Sequence, residues 1–229
     1  MLYMPLTFND LCTELNKKIN FNNILIIRHK LTGQFMDNLF INQTNVTRLI
    51  YVKDNIIINP NIYNRYFNRN IIRHKNINDI LVKLNIKYDL ICLDPFHEYN
   101  ESMSDLKLLT SFLTDNGILI CHDCYPPNKI CAQPYFTTGE WCGVTYGVFI
   151  EFAYNNPDWF YTILNTDFGL GIIRKKNIFF KLYICNLENN NINKDIQNQF
   201  IELLKKEDNS TYDFFIDNSK SLINILPYV

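Results

Sequence analysis

Several things are missing from this 229-residue chain, and each absence excludes a class. No run of about 18 apolar residues occurs, so no transmembrane helix is expected. Neither charge is in excess: 22 Lys and Arg stand against 23 Asp and Glu. The basic residues are scattered through Asn-rich stretches rather than gathered in a patch, so a nucleic-acid partner is not expected. The amino-terminal stretch MLYMPLTFND lacks the basic and apolar regions of a secretory signal, and a cytoplasmic protein is the expectation. Alanine is almost missing, at Ala132 and Ala153 only, while Asn, Ile and Lys are heavily used. These favoured residues have A/T-rich codons, a mark of the genome rather than of function, which weakens any low-complexity reading of the Asn-rich stretches.

What is present is a core. Hydrophobic residues make up 47% of the chain, which suits one globular domain of the larger kind. The seven cysteines are odd in number, and Cys92 and Cys121 sit inside apolar runs, so they read as reduced core thiols. Cys121 and Cys124, with Cys131 and Cys142 further on, have a zinc-like spacing. Cys121 falls on an expected buried strand, however, where alternate side chains diverge, and core thiols are the better account.

Short continuous apolar runs predict buried strands at 23–28, 47–52, 70–74, 88–94 and 117–123. Between them, 7–18, 76–85 and 102–117 carry helical spacing, the last with Gly117 as its stop. Strands without alternation, separated by helices, predict an α/β fold with a doubly wound, mostly parallel sheet covered on both faces. Beyond 123 comes a long loop, 124–143, then a helix at 144–156 and two strands, 158–165 and 169–176, which form a closing antiparallel hairpin around TDF. Residues 1–177 are expected to form the α/β domain. Residues 178–229 are expected to be a mainly helical extension packed on it.

Ligands of such sheets sit at the carboxyl ends of the parallel strands. Asp94 and Asp123 end two consecutive strands, so they are expected at one cleft. Two carboxylates with His97 and His122 beside them can hold a divalent cation such as Mg²⁺, and an imidazole can move a proton near neutrality. The plainer alternative is that both acids cap the turns that follow the strands. Tyr125, Tyr135, Phe136, Trp141 and Tyr146 cluster in or after the long loop, either as a lid that stacks on an acceptor or as ordinary packing.

YDLICLDPFHEYNESMSDLKLL and LTDNGILICHDCYPP resemble two signature segments of the class I S-adenosylmethionine-dependent methyltransferase fold, in its small-molecule O-methyltransferase branch. GEWCGVTYGVFIEF and NTDFGLGII are similar to two later segments, in the right order, so the resemblance spans about residues 86–175. It implies a Rossmann-like sheet, S-adenosylmethionine as cofactor and a hydroxylated small molecule, such as a sugar or nucleotide-sugar, as acceptor. By position it implies Asp94, His122 and Asp123 as metal ligands and His97 with Asp94 as catalytic residues. Gly33, Asp54 and Asp94 would meet the donor, and Tyr125, Trp141 and Asp167 the acceptor. The chain departs from the pattern where the donor should bind. NILIIRHKLTGQF has no acid ending the first strand and only one glycine, Gly33, in the turn. The alternative is therefore a catalytically inactive scaffold that binds a sugar, a protein partner or another subunit, and the oligomeric state, monomer or homo-oligomer, is left open.

Overall fold

The computed structural model describes residues 7–53, 71–175, 192–208 and 210–227. Helix α1 (Phe8–Ile19) opens with a capping box: Thr7 accepts from the Asp10 amide while Asp10 accepts from the Thr7 amide. It ends at Asn20 in the left-handed region. Strands β1 (Ile24–His29), β2 (Val46–Val52), β3 (Ile71–Arg73), β4 (Tyr88–Asp94) and β5 (Leu113–Cys121) pair in parallel. Helices α2 (Ile77–Leu84) and α3 (Tyr99–Thr110) connect β3 to β4 and β4 to β5.

Helix α4 (Thr145–Asn155) precedes β6 (Trp159–Asn165) and β7 (Leu170–Lys175), an antiparallel hairpin that joins the sheet through β7. Two further helices, α5 (Lys194–Lys205) and α6 (Thr211–Leu222), lead to a short β8 (Ile225–Pro227) that pairs in parallel with β6. The strand order is β3-β2-β1-β4-β5-β7-β6-β8. This is the Rossmann-like sheet that the resemblance implied, with the antiparallel hairpin that the residues around TDF predicted.

Both faces of the sheet are covered, which is why its strands read as unbroken apolar runs. Ile24, Ile26, Leu90, Cys92, Ile118 and Ile120 face α1 in one core layer. Leu25, Ile27, Ile91, Leu93, Leu119 and Cys121 face the other way, with residues of α2, α3 and α4. No helix among the described residues is long and apolar enough to cross a membrane. Among those residues the cysteines are unbridged and buried; Cys12 and Cys92 lie with their sulfurs 3.6 Å apart.

One expectation is corrected. The helix expected over 102–117 stops at Thr110, and β5 begins at Leu113. Gly117 is inside the strand, where a Cβ would lie 2.8 Å from the Tyr88 carbonyl, so the glycine serves close strand pairing rather than a helix stop. After α5 and α6, the short β8 adds an edge to the main sheet.

Candidate active site

The strand order reverses between β1 and β4, and the carboxyl ends of β4 and β5 lie side by side. This brings Asp94, the last residue of β4, beside His122 and Asp123, which follow β5. Asp94, His97 and Asp123 are all buried, and their ligand atoms lie within 4.8 Å of one another.

His97 is the hub. Its Nε2 lies 2.9 Å from Asp94 Oδ1 and 2.9 Å from Asp123 Oδ2. Its Nδ1 lies 2.6 Å from the Trp141 carbonyl. Nδ1 faces a carbonyl and Nε2 faces two carboxylates, surroundings that favour the doubly protonated ring. Burial pushes its pKa down, but the Asp123 and Asp94 carboxylates outweigh burial and raise it to about 10. Burial pushes the two acids up in turn; the imidazoles of His122 and His97 overcome this and hold both carboxyls below their ordinary range. Such a buried charge cluster is sustained only because each charge has its partner.

The backbone is shaped to make this contact. Asp123 sits at φ +63°, in the left-handed region that Asp tolerates better than bulkier residues. Gly143, at φ +56°, presses the long loop onto His97: a Cβ there would lie 2.1 Å from the His97 carbonyl. The next amide, of Val144, donates to that carbonyl at 2.9 Å. Only the packing of the loop on His97 reveals the role of Gly143.

His122 stands differently. Its Nδ1 is 3.1 Å from Asp123 and 3.4 Å from Asp94, and its Nε2 is 3.7 Å from Asp167. None of these is aligned as a hydrogen bond: both ring nitrogens are buried without a hydrogen-bond partner among the described residues. Burial lowers its pKa, but the carboxylates of Asp123, Asp167 and Asp94 outweigh burial and raise it well above the usual imidazole value. Phe35, Phe8 and Phe168 surround the ring at centroid distances of 4.8, 5.8 and 6.1 Å.

A cleft of about 210 Å³ opens onto this cluster. Leu31–Phe35 form one wall, Phe136–Trp141 the other, and Phe168 the end. Trp141 packs on His97 and fixes its indole by donating to the Gln133 carbonyl at 2.7 Å. Part of the long loop therefore lines the cleft. The cleft is smaller than the roughly 300–1,000 Å³ typical of ligand pockets, so it suits one ring-sized ligand rather than a donor and an acceptor together. A separate cavity of about 230 Å³ beside Trp159 has no acid or imidazole among its described lining residues.

Other sequence-predicted residues fall elsewhere. Tyr125 does not line the cleft; its ring packs on Phe215 of α6 at 5.2 Å. Asp167 faces His122 from the β6–β7 turn, and its Oδ2 accepts from the Phe8 amide at 2.6 Å, which ties α1 to the site. Asp54 lies outside the described residues.

The donor set fits a divalent cation: two carboxylates and an imidazole converge, with the unpartnered His122 nitrogens alongside. The turn after β1 is packed closely on its own residues and on the end of β4. Gly33 lies against Asp94, so a Cβ would come within 2.8 Å of the Asp94 Cβ. Arg28 fills the inside of the turn, donating to the carbonyls of His29 and Thr32 at 3.0 and 3.1 Å. His29, fully buried, packs at a tilt against Phe96, with ring centroids 4.4 Å apart.

No family model matches the chain, and no curated protein does. Among solved structures it is similar to one provisionally described as a caffeoyl-CoA O-methyltransferase from Staphylococcus aureus, at 19% identity over 73% of this chain and 82% of that one, with TM-score 0.47. It is also similar to the SAH-bound Podospora anserina methyltransferase PaMTH1, at 14% identity over 74% and 78%, TM-score 0.47. A third is the MycE methyltransferase in complex with Mg, SAH and mycinamycin VI, at 11% identity over 82% of this chain and 53% of that one, TM-score 0.41. These likenesses concern the outline of the fold; the assignment of function rests on this chain's own residues.

Proposed function

We propose that the protein is an O-methyltransferase acting on a hydroxylated small molecule with the help of a divalent cation. The observation that carries this is the convergence of Asp94, His97 and Asp123 on one point at the floor of an aromatic cleft. Asp94 and Asp123, with His97 or His122 as a nitrogen ligand, would hold the cation, which supplies Lewis acidity toward a bound hydroxyl. S-adenosylmethionine supplies an electrophilic methyl group when bound. Imidazole ligands alongside carboxylates widen the choice of cation from Mg²⁺ to Mn²⁺ and its neighbours.

His97 cannot accept a proton while both its N–H groups are engaged. It becomes a base once another cation neutralises the two carboxylates, so metal binding and proton release are coupled at this ring. Phe136, half exposed beside the buried Trp141, offers a face on which a sugar or another ring can lie, and alignment of that ring over the acids is the cleft's contribution to rate. A sugar or nucleotide-sugar is the acceptor class the resemblance suggests.

One observation favours a second function. Arg28 occupies the turn where the donor should rest, which suits a scaffold that binds an acceptor-like ligand without methyl transfer. Incubation with radiolabelled S-adenosylmethionine, Mn²⁺ and a panel of hydroxylated small molecules separates the two. Label transfer that disappears in Asp94→Asn supports the enzyme; ligand binding with no transfer to any acceptor supports the scaffold.

A further inference from the structure

The point where the strand order reverses is the usual ligand crevice of a doubly wound sheet. Here it lies between β1 and β4. Arg28 of β1 is paired in register with Asp94 of β4, so its side chain starts at the mouth of that crevice. The Arg28 side chain is only 3% exposed. Its Nε and Nη2 donate to the two oxygens of Asp37, each at 2.9 Å, and Asp37 stands on the short 3₁₀ turn Gln34–Asn38. Its Nη1 faces the carbonyls of His29, Lys30 and Thr32 at 3.0, 3.3 and 3.1 Å.

The turn thus directs three carbonyl groups inward onto a cation of its own. A turn that receives the anionic group of a ligand directs amides at it instead. The two lips of the crevice also touch: the Thr32 hydroxyl donates to the Pro95 carbonyl at 3.1 Å, and Gly33 lies on Asp94. The guanidinium fork matches a carboxylate in a way no other side chain can, so the Arg28–Asp37 pair is a specific fastening rather than incidental filling.

We infer that Arg28, fastened by Asp37, is a latch that holds the β1–β4 crevice shut and sets how strongly the protein binds its methyl donor. The inference rests on the methyltransferase reading for the identity of that donor. Asp37 is 23% exposed at its side chain, so the fastening can be released from the solvent side without unfolding β1.

The test is calorimetric titration of the full chain with S-adenosylhomocysteine, for wild type, Arg28→Ser and Asp37→Asn, with melting transitions recorded for each. Wild type is expected to bind weakly, Arg28→Ser at least about tenfold more tightly, and Asp37→Asn in between. If Arg28→Ser does not fold, Asp37→Asn decides, because it unfastens the fork and leaves the guanidinium with its carbonyl partners. No gain of affinity in the folded variants, or a loss, overturns the latch. Mn²⁺ titration of the same proteins reads the Asp94–His97–Asp123 site independently. Failure of the latch with Mn²⁺ binding intact is therefore distinct from failure of the metal-assisted function.

Discussion

His97 Nε2 reaches Asp94 Oδ1 across 2.9 Å, from three residues further along the same turn. That local contact makes the end of β4 a preorganised half-site, and Asp123 completes it from β5 at the same distance. The chemistry of the cleft follows from what this trio does with its charges.

Replacing Asp123 by Asn removes one of the two carboxylates that hold the imidazolium. Divalent-cation affinity is expected to fall at least about a hundredfold, since a neutral amide is a poor hard-cation ligand. His97 keeps Asp94 as a partner, so the variant is expected to fold, at a cost of about 1–3 kcal/mol. Thermal unfolding and Mn²⁺ titration read the two effects separately, and Asp94→Asn should behave in the same way.

The cluster also predicts a pH window of stability. The His97 pKa is raised in the folded state from 6.5 to about 10, so its contribution is full below 6.5 and is lost as pH rises through 10. The Asp123 carboxyl is held below its ordinary value of 3.8, so its contribution is present above 3.8 and is lost as pH falls below it. The melting temperature should therefore decline from pH 6.5 toward 10. In His97→Gln that alkaline decline should flatten; an unchanged slope would assign it to other groups.

Gly143→Ala would place a methyl 2.1 Å from the His97 carbonyl at a positive φ. The left-handed backbone alone costs about 1–2 kcal/mol for a residue with a Cβ, and the overlap with backbone adds to it. A loss of at least about 2 kcal/mol in denaturant unfolding is expected, with weakened Mn²⁺ binding, because the loop that supplies the Trp141 carbonyl must lift off His97.

Phe136 is 48% exposed, yet it stands 5.2 Å from the Trp141 ring on the wall of the cleft. Phe136→Ala is expected to change stability by less than about 1 kcal/mol while raising the KM for a ring-bearing acceptor roughly tenfold. Equal KM values would show that the acceptor does not lie on this wall.

Much of the site was legible before the fold. Asp94 and His97 share one turn, and Asp94 and Asp123 end strands that the apolar runs mark clearly, so their meeting follows from the parallel sheet alone. The relative standing of the two histidines did not follow. His97, rather than His122, takes the place between the acids because Gly143 brings the Trp141 carbonyl over its Nδ1, a contact 44 residues away in sequence. The end of α3 was misread because Phe112 and Leu113 continue its apolar pattern into β5. The three-residue β8 left no periodic signal at all. Nothing in the sequence marks Arg28 as buried; the register with Asp94 and the placement of Asp37 show it.

Titration of the protein with Mn²⁺ at neutral pH, followed by electron paramagnetic resonance of the free ion, tests the central claim most directly. One bound ion per chain, lost in both Asp94→Asn and Asp123→Asn, is the predicted result. Binding that survives both substitutions, or no binding by folded wild-type protein at millimolar Mn²⁺, would contradict a cation site built on Asp94, His97 and Asp123.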